Sequence, residues 1–132
     1  MRVFVTGAAG FIGSGVVPDL IAAGHTVTGL ARSDANVKTL KRMGADVLRG
    51  SLKDIDSLKR GSAEADGVIH LAFIHDFAKF AENGQIDKRA IEAMGETLTG
   101  TNKPLVVTSG VGLLAPGRLS TEEDVAHVGE SI

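Results

Sequence analysis

The chain opens with MRVFVTGAAGFIGSGVV, in which Gly7, Gly10 and Gly13 follow a short apolar run at intervals of three. No other stretch constrains the fold as much. Val3, Phe4 and Val5 favour a strand, while Ile12, Val16, Val17, Leu20 and Ile21 recur at roughly helical spacing. A strand is therefore expected to turn into a helix at the glycines. Such a turn leaves unpaired amides at the helix start, where the dipole favours an anion and where a missing Cβ lets a phosphate approach.

The same alternation continues. HTVTGLA reads as a second strand, and Ser33 or Asp34 can cap a helix carrying Val37, Leu40 and Met43 before Gly44. ADVLRG gives a third strand, SLKDIDSLKRG a polar helical turn, and DGVIHLAF a buried fourth strand. Residues 76–100 are helical in pattern, with Ile86, Ala90, Ile91, Met94 and Leu98 on one stripe and a break expected at Gly84. PLVVTSG supplies a fifth strand. Strands of about five residues alternating with helices of about ten imply βαβ units and a parallel sheet covered on both faces. Pro18 lies inside the first helix and is expected to kink it.

Composition removes several classes of function. The 132 residues contain no cysteine, which excludes disulfides, thiolate metal sites and a cysteine nucleophile and suits a reducing compartment. Fourteen Lys and Arg against 16 Asp and Glu give a net charge of -2, so no nucleic-acid or anionic-membrane partner is expected. Apolar stretches such as GVIHLAFI fall far short of the roughly 20 residues that cross a bilayer. A cytoplasmic protein is the expectation. No metal site is expected either, because His75 and Asp76 lack a third ligand at suitable spacing.

VTGAAGFIG, HLAF and VVTSG, in this order and spacing, resemble the extended and atypical short-chain dehydrogenase/reductase family. The resemblance covers essentially the whole chain. It implies an α/β fold of Rossmann type, a doubly wound parallel sheet in strand order 3-2-1-4-5 that binds NAD or NADP at the point where the order reverses. Gly7, Ala9, Gly10 and Gly13 then form the pyrophosphate turn, with Phe11 and Ile12 supplying amides, and Leu71, Ala72 and Phe73 line the cofactor beyond the fourth strand. At the end of the second strand, Ala31 stands where NAD-preferring relatives carry Asp. Arg32 and Ser33 could hold a 2′-phosphate, so NADP is expected over NAD; the alternative is that Arg32 is a solvated surface cation. Ser51 replaces an Asp that contacts the adenine amine in relatives, with Leu52 beside it; Ser51 reads equally well as a helix cap with Asp54. His70 reads as a hydrogen-bonded core histidine before an acid or base, and Asp87 as helix surface, although relatives carry Asn there.

Two departures bear on mechanism. Relatives that reduce carbonyls use a Tyr and a Lys four residues later, and this sequence contains no Tyr. Ser109 is the candidate for the Ser or Thr that orients a substrate carbonyl, with Thr108 near the nicotinamide ribose; both serve equally well as strand-end hydrogen-bonding groups. The expected organisation is an NAD(P)-binding domain over 1–110 and a mobile loop or tail over 111–132, leading to a substrate-binding part absent from this sequence. A missing segment or a second subunit, as in a homo-oligomer, is expected to cover the open edge of the fifth strand. The function implied is an NADP-dependent oxidoreductase of the epimerase/dehydratase-like branch acting on a small molecule, the alternative being a non-catalytic NAD(P)-binding regulator or sensor.

Overall fold

The computed structural model describes residues 1–73 and 79–108. Five strands and four helices alternate: β1 (Arg2–Thr6), α1 (Gly13–Ala22), β2 (Thr26–Ala31), α2 (Asp34–Arg42), β3 (Asp46–Arg49), α3 (Ile55–Glu64), β4 (Gly67–His70), α4 (Phe80–Leu98) and β5 (Leu105–Val107). The strands form one sheet in the order β3-β2-β1-β4-β5, and every neighbouring pair is parallel. The expected doubly wound topology is therefore present, with β1 at the centre and the reversal of order between β1 and β4.

The two-residue period of the strands sorts their side chains into two cores. Val3 and Val5 of β1 join Val27 and Ala31 of β2, Val17 of α1 and Leu40 of α2 in one cluster. Phe4 of β1 joins Leu30 of β2, Val68 of β4, Leu58 of α3 and Ala90, Met94 and Leu98 of α4 in the other. The register carries the pattern across the sheet, because Phe4 stands opposite Val68 and Thr6 opposite His70.

Helix ends differ in part from the sequence reading. Ser33 caps α2, its Oγ accepting from the Asn36 amide at 3.2 Å. Asp54, not Ser51, caps α3, its carboxylate accepting from the Ser57 amide at 3.3 Å. The helix begins only at Ile55, which leaves Ser51 too far upstream to reach its first free amides. No break occurs at Gly84: α4 runs through it, and a Cβ there would meet nothing within 4 Å. One glycine without a competing cap or turn costs a 19-residue helix only about 1 kcal/mol, too little to end it. Helix α1 contains Pro18, an exposed residue. Edge strand β5 leaves Val106 and Val107 exposed. The 111–132 tail and the boundary at 110 lie outside the described residues. Among the described residues no helix is long and apolar enough to cross a membrane.

Candidate functional site

A cavity of about 570 Å³ opens beyond the carboxyl ends of β1, β2 and β4. Four segments build its walls. The β1–α1 turn contributes Gly7, Ala9, Gly10, Phe11 and Ile12; the end of β2 and start of α2 contribute Leu30, Arg32 and Asn36; Gly50, Ser51 and Leu52 follow β3; Leu71, Ala72 and Phe73 follow β4.

The glycine turn is shaped by close backbone approach. Gly7 has φ of 67°, and a Cβ on it would lie 2.7 Å from the Ala72 nitrogen. At Gly13 a Cβ would run into the carbonyl oxygens of Gly7 and Ala8. The turn is closed by hydrogen bonds from the Gly10 amide to the Gly7 carbonyl at 3.0 Å and from the Ser14 amide to the Gly10 carbonyl at 2.8 Å. Among the described residues, the amides of Phe11 and Ile12 donate to no acceptor, and α1 has no side-chain cap at Ile12. Free amides at a helix start, on residues that line a cavity, make a binding place for an anion.

Arg32 is exposed at the cavity rim. Its nearest acidic neighbour in sequence, Asp34, is engaged by Arg49 at 3.0 Å, and among the described residues Arg32 has no ion pair of its own. Asn36, in the first turn of α2, stands on the same wall. The sequence reading did not include Asn36, Leu30 or Gly50; the position of Asn36 in the first turn of a helix capped by Ser33, just after the end of the second strand, was a usable signal for the first. Ser51 and Leu52 do line the cavity, whereas Gly13, Ser33 and Thr108 do not. Gly13 acts behind the turn, Ser33 is committed to the α2 cap, and Thr108 Oγ1 donates to the His70 carbonyl at 3.0 Å. Ser109, His75 and Asp76 lie outside the described residues. Among those described, no cluster of three or more potential ligands for a metal occurs.

Beneath the cavity floor, His70 is only 2 % exposed and both ring nitrogens are engaged. Nδ1 lies 2.6 Å from Thr6 Oγ1, and Nε2 lies 2.6 Å from Asp87 Oδ1. His70 is thus a hydrogen-bonded core residue. Asp87 is not helix surface: 79 % of its side chain is covered and its carboxylate faces inward to His70. Period alone could not place it, since the contact depends on how α4 lies across β4.

The family model for the NAD dependent epimerase/dehydratase family matches residues 3–114. An uncharacterized protein of Saccharomyces cerevisiae is 50 % identical over 126 residues, covering 94 % of this chain and 42 % of its own length. Dihydroflavonol 4-reductase of Hordeum vulgare is 33 % identical over 123 residues, covering 83 % of this chain and 35 % of the reductase. The chain therefore spans about two-fifths of the length of these relatives. Among solved structures, UDP-glucose 4-epimerase from Bifidobacterium longum in complex with NAD+ and UDP superposes with a TM-score of 0.73 at 23 % identity, over 97 % of this chain and 43 % of that one. At that identity the likeness speaks for the fold.

Proposed function

The chain belongs to the NAD dependent epimerase/dehydratase family, and from that premise we propose that it is the cofactor-binding part of an NADP-dependent oxidoreductase acting on a small molecule. The observation that carries the reading is the glycine turn, which places Phe11 and Ile12, whose amides are free, on the wall of a cavity of about 570 Å³. A dinucleotide fits those groups. Its pyrophosphate would be held by the two amides at the start of α1, its adenine end by Ser51 and Leu52, and its 2′-phosphate by Arg32 with Asn36 alongside. The cofactor supplies hydride chemistry; the residues of this chain bind and orient it. Gly7 and the Leu71, Ala72 and Phe73 segment would bound the nicotinamide side, and Ser109, with Thr108 beside it, is the residue we assign to orienting a substrate carbonyl. The cysteine-free composition supports a reducing, cytoplasmic setting. The exposed Val106 and Val107 on β5 fit an edge covered by a further segment of the protein or by a second subunit, as in a homo-oligomer.

One second reading rests on the same cavity, a dinucleotide-binding regulator or sensor without turnover. Both readings predict dinucleotide binding, and a hydride-transfer assay of the full-length protein separates them.

Cofactor choice gives the direct test. A charge-assisted contact between a guanidinium and a phosphate contributes about 1.5–3 kcal/mol, enough for roughly tenfold or greater preference for NADP. Dissociation constants for NADP and NAD should show that preference in the wild type and lose it in Arg32→Ala. Arg32→Lys should retain part of it, since a point charge does not reproduce the planar fork. An unchanged ratio in Arg32→Ala would make Arg32 a solvated cation and remove the basis for choosing NADP.

A further inference from the structure

The chain Thr6, His70 and Asp87 is not used by the function proposed above, yet it ends on the cavity wall. We propose that Asp87 is a positioning residue for the dinucleotide crevice, acting through His70 and Thr6 on the backbone of Leu71 and Ala72. The proposal rests on reading that crevice as a dinucleotide site.

The hydrogen-bond inventory dictates the direction of every bond. Thr6 Oγ1 accepts from the Leu71 amide at 3.1 Å and from the Ala72 amide at 3.2 Å. A hydroxyl has two lone pairs and one proton. With both lone pairs taken, the proton goes to His70 Nδ1 at 2.6 Å. Nδ1 is then the bare nitrogen of the ring, so Nε2 carries the hydrogen and donates to Asp87 Oδ1 at 2.6 Å. The Asp87 carboxylate selects this tautomer, because it offers an acceptor and no donor. In the opposite tautomer Nδ1–H would point at an oxygen already accepting twice, and one strand-end amide would lose its partner.

That loss would fall on Ala72. The Leu71 amide is shared with the Thr6 carbonyl at 3.2 Å, but Thr6 Oγ1 is the acceptor of the Ala72 amide, which has no other among the described residues. Ala72 packs so closely on Gly7 that a Cβ there would lie 2.7 Å from its nitrogen. Displacement of Ala72 is therefore felt at the first glycine of the anion-binding turn. The order hydroxyl, imidazole, carboxylate is that of a hydrolase triad. Thr6 is nevertheless 0 % exposed with its lone pairs occupied, so it holds a wall in place and attacks nothing.

The experiment uses the full-length chain as wild type, Asp87→Leu and Asp87→Asn. Three quantities are read: the His70 tautomer from imidazole 15N NMR shifts, the exchange rate of the Ala72 amide, and the NADP dissociation constant. The wild type should show Nε2–H. Asp87→Leu should populate the other tautomer, speed Ala72 exchange and weaken NADP about tenfold, the usual scale for orphaning one buried group. Asp87→Asn, whose side-chain oxygen still accepts from Nε2–H, should stay within about threefold on the same scale. Unchanged tautomer or unchanged affinity in Asp87→Leu overturns the proposal, as does affinity lost without a change at His70. If Asp87→Leu does not fold, the other two proteins decide: Nδ1–H in the wild type, or affinity lost in Asp87→Asn, overturns it. A wild type that binds neither NADP nor NAD overturns the reading of the crevice, while tautomer and exchange still decide whether Asp87 holds the strand end.

Discussion

The two faces of the sheet are built by different means. On the α1–α2 side, Val3, Val5, Val27, Ala31 and Leu40 form an apolar layer. On the α3–α4 side, Phe4, Leu58 and Met94 share the layer with polar groups: among the described residues, every buried polar side chain within a helix, Ser57, Ser62 and Asn83, belongs to α3 or α4. Thr6 and His70 follow the same parity along β1 and β4 as Phe4 and Val68 and face that side too. An apolar layer holds by close packing and tolerates no gap. A mixed layer holds by satisfied hydrogen bonds and is sensitive to single atoms. The glycine turn is backed by the first kind of layer; Leu71 packs on that layer too, but its amide and that of Ala72 are held by Thr6 from the second, so the two walls of one crevice should fail differently.

The largest effect is expected on the apolar face. Leu40 is 0 % exposed and packs so tightly over β2 that a Cβ on Gly29 would come within 2.7 Å of its Cδ1. Leu40→Ala should cost about 2–5 kcal/mol in urea unfolding, yet leave the His70 tautomer as in the wild type. A loss well below that range would mean the layer closes over the gap, and the contrast between the faces would weaken.

Two glycines sharpen the contrast next. A Cβ at Gly13 meets backbone oxygens, which cannot retreat without moving the turn, whereas a Cβ at Gly61 meets the Phe4 ring at 2.5 Å. Gly13→Ala and Gly61→Ala should each cost about 1–3 kcal/mol of stability. Only Gly13→Ala should also weaken NADP, by roughly tenfold, if about half of that strain falls on the bound state. Titration calorimetry on both folded variants checks this, and equal affinities would detach the α1 turn from the ligand.

Much of this was legible in the sequence, for a physical reason. The strand-turn-helix reading of Gly7, Gly10 and Gly13 and the alternation of elements follow from local periods and turn chemistry, which short stretches carry intact, whereas the order of the sheet comes from the family resemblance. Ser51 and Asp54 were ambiguous because both are capping types three residues apart, and only the start of α3 at Ile55 decides between them. The pairing of His70 with Asp87 was not legible, because two residues 17 apart meet through the placement of α4 on β4. Ser62 follows Leu58 by four and so lies on the buried stripe, but no rule of spacing says whether a hydroxyl there finds a partner.

The smallest effect tests that last point and has the opposite sign. Ser62 is 0 % exposed, and its Oγ has no hydrogen-bond partner, alone among the buried side-chain nitrogens and oxygens of the described residues. Ser57, one and a half turns earlier on α3, is equally buried, but its Oγ donates to the Asp54 carbonyl at 2.7 Å. An unpartnered buried hydroxyl carries a desolvation cost of about 1–3 kcal/mol, and Ala also has the higher helix propensity; the dispersion attraction that leaves with the oxygen offsets part of that gain. Ser62→Ala should therefore stabilise the protein by about 1 kcal/mol, while Ser57→Ala, which removes a made bond, should destabilise it by about 0.5–1.5 kcal/mol. Reversible urea unfolding of both variants measures the pair against the wild type. Opposite signs mean that the polar face depends on which hydroxyls are satisfied rather than on how many are buried. A loss in both would mean that Ser62 is hydrogen-bonded in solution, and the α3–α4 side would then be as fully satisfied as the apolar face is fully packed.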